Sequence, residues 1–119
     1  RNSSASSSSV DAYDASLTKI VLPELSQSRE NLAATKLGEY ALFGGGAVQT
    51  GMAETATSVV DAYDTNLTRT VLKGLSTDRG SLSAATVGDY ALFGGGGSGH
   101  SFNTWDYDTV YSTVDCYSS

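Results

Sequence analysis

"GEYALFGGG" occupies residues 38–46, and "GDYALFGGG" occupies residues 88–96. An aromatic and aliphatic run that ends in three glycines invites two readings. A phosphate-cradling loop sits between a strand and a helix. It carries Lys-Ser or Lys-Thr after its glycines, or G-x-G-x-x-G spacing in a βαβ unit. After Gly46 comes "AVQTGMAET", and after Gly97 comes "SGHSFN", with no lysine and no strong helix pattern. The second reading therefore holds. The glycines mark where a strand stops, where the backbone takes a positive φ or passes close to a neighbour.

The phrase belongs to a longer repeat. Residues 10–46, "VDAYDASLTKIVLPELSQSRENLAATKLGEYALFGGG", align without a gap on residues 60–96, "VDAYDTNLTRTVLKGLSTDRGSLSAATVGDYALFGGG". More than half of the aligned positions are identical. A third copy begins with "STVDCY" at 112–117, which echoes "SVVDAY" at 58–63. The connection before it is four residues longer. A period near 50 residues points to a propeller blade or a two-helix solenoid unit. The helical alternative needs long 3–4–7 apolar patterns with few glycines. Here short apolar runs alternate with turn chemistry such as "DTN", "STDRG" and "VGD". Leu82–Val87 has the length of a helical turn or two, but Gly80 and Gly88 hem it in.

The expected fold is all-β, with four antiparallel strands per repeat. Strand a covers about 31–37 and 81–87, and strand b about 40–44 and 90–94. Strand c covers about 10–14, 58–63 and 110–117, and strand d about 18–22 and 68–72. Asp14 and Asp64 suit the c–d turns, because an Asp side chain bonds the backbone amides that follow it. "YALF" is apolar at consecutive positions, which predicts a strand covered on both faces. The b–c and d–a connections are expected at one end of each sheet. The domain organisation read from these signals is a Ser-rich loop or linker at 1–9 and strands c and d of a preceding unit at 10–28. A complete repeat follows at 29–78, then a second repeat lacking its last strand at 79–119.

Composition excludes several classes. The net charge is −6, with no Lys/Arg cluster to neutralise phosphates, so nucleic acid is not an expected partner. No apolar stretch approaches the length of a membrane span. The chain opens "RNSSASSSSV" without an initiator Met, which reads as the interior of a longer polypeptide or a processed product. Cys116 has no second cysteine in the sequence and is expected to be a small, half-buried replacement for the Ala of the earlier copies. The Asn2-Ser3-Ser4 and Asn66-Leu67-Thr68 triplets match the N-glycosylation pattern.

Arg29 and Arg79 recur among small residues and are expected to bond carbonyls or a carboxylate between units. Glu39 and Asp89 are the nearest recurring carboxylates, with Asp11 and Asp61 as alternatives. The Asp11/Asp14 and Asp61/Asp64 pairs lack the ligand density of a calcium loop. His100 is the only histidine, so no catalytic triad, metal site or cofactor site is expected, and the chain is read as a non-enzyme. The least repetitive stretch is 97–109, "GSGHSFNTWDYDT". It holds the single Trp and is the candidate ligand-binding loop, with His100, Phe102, Asn103, Trp105 and Tyr107 as contact residues.

The repeat resembles the kelch repeat of β-propellers. That resemblance rests on the double glycines Gly44-Gly45 and Gly94-Gly95, on Tyr13, Tyr63 and Tyr117 in the following strand, and on Arg29 and Arg79 ahead of strand a. The kelch Trp, seven residues after the Tyr, is replaced by Ile20 and Thr70, so the repeat is a divergent one. The resemblance implies blades of four antiparallel strands, about two of them in this chain. A closed propeller takes four to eight blades. Either a longer array or a homo-oligomer is therefore expected to complete the ring. The implied role is a non-catalytic module that binds protein or glycan on a secreted or cell-surface protein. The alternative is a self-assembling structural protein that pairs exposed strand edges into a ring or fibre.

Overall fold

A computed structural model describes residues 6–50, 53–98 and 109–118. The described chain is all-β, with no helix and only antiparallel pairing. Strands β3 (Ala33–Leu37), β4 (Tyr40–Gly44), β7 (Val60–Tyr63) and β8 (Arg69–Leu72) form a four-stranded meander in that order. Strands β9 (Ser83–Val87), β10 (Tyr90–Gly94) and β13 (Val114–Ser118) form a second sheet in the order β13-β10-β9. Ahead of both lies a short pair, β1 (Ala12–Tyr13) and β2 (Lys19–Ile20). The two larger sheets are the same unit built twice, since Leu42 pairs with Thr35 and Ala62 as Leu92 pairs with Ala85 and Cys116.

The turns follow from local chemistry. Gly38 and Gly88 take φ of 58° and 56° in the tight a–b turns, where a side chain would be strained. In the c–d turns the Asp64 carboxylate accepts from the Asn66 and Thr68 amides at 2.9 and 3.0 Å. Asp14 does the same for Ser16 and Thr18 at 2.8 and 3.0 Å. The register places Ala33, Gly44, Val60 and Leu72 in one row, so the b–c and d–a connections leave from the same end of the sheet.

Two expectations need correction. The b–c connections are themselves hairpins. In the first copy β5 (Ala47–Thr50) pairs with β6 (Ala53–Ala56), and in the second β11 (Gly97–Ser98) pairs with β12 (Thr109–Val110). Val110 thus belongs to a hairpin, and strand c starts only at Val114. The "YALF" strands are also not covered equally on both faces. Ala91 and Phe93 are fully buried while Leu92 is half-buried, and Leu42 is buried while Ala41 is exposed.

The reason is that the two sheets pack face to face and seal each other's inner faces, while on the outer face of the first sheet the 23–29 segment covers Asp61 and Tyr63 but not Ala41. The first sheet contributes Ala33, Leu37, Leu42, Val60 and Ala62, and the second contributes Ala91 and Phe93. Leu75 and Leu82, from the connections beside the second sheet, complete the cluster. Full burial of a Leu, Val or Phe is worth about 1.5–3 kcal/mol each. Strand β3 runs beside β9, and the Thr35 and Thr86 hydroxyls meet at 2.6 Å. Gly44 is small because the Phe93 ring lies on it: a Cβ there would come within 2.8 Å of the ring.

Candidate functional site

The feature that recurs with the most chemistry is a buried arginine at the junction of successive repeats. Arg29 is 2% exposed and Arg79 is 0% exposed. One Arg29 nitrogen donates to the carbonyls of Gly45 and Val59 at 2.8 and 2.7 Å. The other donates to the Phe43 carbonyl at 3.1 Å and to the Asp61 carboxylate at 2.8 Å. Arg79 repeats the pattern on the carbonyls of Gly95, Thr113 and Phe93 and on the Asp115 carboxylate. Each guanidinium therefore ties the end of strand b to the start of strand c. A planar fork of fixed donors suits this task, and a lysine ammonium does not.

The carboxylate that meets each arginine comes from the "VDAY" and "VDCY" strands, not from Glu39 or Asp89. Asp61 Oδ2 also accepts from the Ser26 amide at 3.0 Å, and Asp115 Oδ2 accepts from the Ser76 amide at 3.1 Å. Ser26 and Ser76 belong to "LSQSR" and "LSTDR", identical at Leu, Ser and Arg in both copies. The preceding leucines, Leu25 and Leu75, are buried, and their amides bond the carbonyls of Ser8 and Ser58 at 2.8 Å each. Sequence reasoning singled out the arginine and missed this Leu-Ser pair. Its exact recurrence ahead of the arginine is the signal that identifies it.

Electrostatics agree with a structural pair. Burial pushes the Arg29 guanidinium below its ordinary value, and Asp61 only partly restores it. For Asp115, burial acts upward, but hydrogen bonds from Ser76 and Arg79 outweigh it and hold the carboxyl below its usual range. Arg29 Nε, Arg79 Nε and Asp61 Oδ1 are buried without a hydrogen-bond partner. Both terminal nitrogens of each guanidinium are already engaged by backbone carbonyls and a carboxylate. The arrangement can lock strands, and it offers no guanidinium face to an anionic ligand.

The remaining predicted residues fall into place around this bolt. The Tyr63 hydroxyl donates to the Pro23 carbonyl at 2.8 Å, and Tyr117 donates to the Lys73 carbonyl at 2.7 Å. Their rings stand edge-on to Phe43 and Phe93, with centroids 5.8 Å apart in both pairs. Burial first, then the Asp115 charge, pushes the Tyr117 hydroxyl up to about 12. Tyr13 is 63% exposed. Gly45 and Gly95 take positive φ beside the arginines, at 68° and 75°, while Gly44 and Gly94 close strand b. Asp11, the first-copy equivalent of Asp61, makes an exposed contact to Lys19 at 3.4 Å and no bond to Arg29. Cys116 is exposed, contrary to expectation, because no described residue covers its face of the second sheet.

His100, Phe102, Asn103, Trp105 and Tyr107 lie outside the described residues. The described chain fixes only where their loop begins and ends, at Ser98 and Thr109 in the β11–β12 hairpin. Among the described residues no group of three or more His, Cys, Asp or Glu side chains could hold a metal ion. No described helix is long and apolar enough to cross a membrane. Neither the family models nor the curated proteins that were compared with this sequence match it.

Proposed function

We propose that this chain is a divergent kelch-like propeller module that presents a binding loop on a bolted, non-catalytic scaffold. The observation that supports the blade reading is the meeting of strand a with strand a. β3 and β9 lie side by side, with Thr35 on Thr86, and away from that contact strands b, c and d follow in order in the first sheet and b and c in the second. Innermost strands meet in this way when blades radiate from an axis. The recurring polar residues are consumed by internal bonds, which leaves the non-recurring loop 99–108 to carry specificity. Its Trp105, Tyr107 and Phe102 offer flat apolar area, and Asn103 and Asp106 offer hydrogen bonds, a combination suited to a glycan or a protein surface. A secreted or cell-surface setting goes with this role.

The test is a loop variant. The full chain and a variant carrying W105A and Y107A are applied to a glycan array and to a protein-interaction screen. Ligands bound by the full chain should be lost or weakened at least about tenfold in the variant, the cost of removing a binding hot spot. Unchanged binding by the variant would remove the loop from the proposal.

A further inference from the structure

The two sheets of this chain carry an unsatisfied copy of their own interface. The outer face of the second sheet holds Val87, Val114, Tyr90, Leu92 and Cys116. Val87 is 60% exposed and Val114 is 61% exposed. Their counterparts in the first sheet are Leu37 and Val60, at 4% and 0%. Leu92 and Cys116 correspond in the same way to buried Leu42 and Ala62. Among the described residues this face, a core surface in the first repeat, has no cover. A single exposed Val needs no explanation, but a whole repeat-equivalent face does.

The complementary surface is also present, and beside Asp61 and Tyr63, which the 23–29 segment covers, it is open. Phe93 and Ala91 seal the interface by lying on the first sheet, and both are 0% exposed. Their counterparts Phe43 and Ala41, on the outer face of the first sheet, are half-buried and exposed, as is Ala34 beside them. A recess of about 460 Å³ lined by Phe43, Ala34, Leu32, Val10 and Asp11 lies there. The receiving position matches too. A Cβ on Gly44 would strike Phe93, whereas a Cβ on Gly94 meets nothing closer than Val114 at 3.4 Å. Gly94 has the form of a seat for an aromatic ring, with no ring of the described residues on it.

We infer that a second copy of this chain docks head to tail, placing its Phe43, Ala41 and Ala34 on the Leu92, Val114 and Val87 face of the first. The contact is heterologous: two different patches meet, so each added copy leaves one of each patch free and assembly continues or closes into a ring. It is face-to-face packing, distinct from the pairing of strand edges. Strands β1 and β13 are the same strand of the repeat, as "VDAY" and "VDCY" show. The docked arrangement therefore has the incoming β1–β2 hairpin swung aside, with β13 kept beside β10. The inference rests on the stacking of the two sheets and is independent of the 99–108 loop.

The experiment uses two variants of the full chain and sedimentation velocity from micromolar to near-millimolar concentration. V87K/V114K charges one face and A41E the other, all at positions exposed in the single chain, with circular dichroism confirming the fold. The wild type should grow in mass with concentration, and each variant alone should remain a monomer. A one-to-one mixture of the two variants should give a dimer and nothing larger, because only one pair of intact faces remains. In the wild type, Cys116 should also react with a thiol reagent more slowly as concentration rises. A wild type that stays monomeric with constant Cys116 reactivity overturns the inference. So do variants that associate like the wild type, or a mixture that stays monomeric. An unchanged assembly after W105A and Y107A separates this result from any failure of the ligand-binding proposal.

Discussion

At Arg79 one side chain satisfies three carbonyls and a carboxylate with no exposure to water. Desolvating a guanidinium is costly, and the bonds offset that cost only while every partner is in place. Arg79→Met should therefore destabilise the chain by about 3–5 kcal/mol, because Asp115 and the carbonyls lose their donor. Arg79→Lys should rescue little of this, since an ammonium cannot span the same acceptors. Urea unfolding of the three proteins checks both expectations. A loss below about 1 kcal/mol in Arg79→Met would show that the pair is a surface-type contact. The structural role of this arginine was legible in its recurrence. Its partner was not: Asp61 and Asp115 lie more than thirty residues away, and only the pairing of strands b and c brings them under the guanidinium.

Strand positions were legible because local chemistry sets them. The Tyr40–Gly44 and Tyr90–Gly94 strands fall where glycine on both sides permits nothing longer. The β5–β6 hairpin was hidden, since "AVQTGMAETA" has small and polar residues with weak strand preference. It forms where Ala47 and Glu30 exchange backbone hydrogen bonds at 2.8 Å each. The c–d turns give a sharper test. Leu17 and Leu67 sit at φ of 66° and 62°, a conformation that costs an L-residue roughly 1–2 kcal/mol. Leu17 is also 82% exposed, so its side chain returns little. Leu17→Gly should raise stability by about 0.5–1 kcal/mol once the greater freedom of the unfolded chain is deducted. Asp64→Ala, which removes the oxygen that accepts from the Asn66 and Thr68 amides, should lower it by about 1 kcal/mol. Thermal unfolding of the two variants should move in opposite directions.

For the molecule as a whole, the repeat at a period of 50 made the all-β class legible before any coordinate. The open face was not legible. Val87, Leu92 and Val114 look like their buried counterparts in sequence, and their exposure arises because nothing in the described chain lies on that side. The same holds for Cys116, whose alanine counterpart is sealed by the second sheet. Both the proposed blade arrangement and the head-to-tail contact depend on one juxtaposition, strand a of one repeat against strand a of the next. Thr35 and Thr86 mark it, with hydroxyls 2.6 Å apart and a sequence separation of 51. The most direct measurement is a cross-link at that point. A T35C/T86C/C116S variant, oxidised at low concentration, should form an intrachain disulfide in high yield. Its thermal midpoint should rise, since closing a loop of this length contributes about 4 kcal/mol. Two free thiols after oxidation, in a chain that is folded by circular dichroism, would contradict the stacking of the repeats.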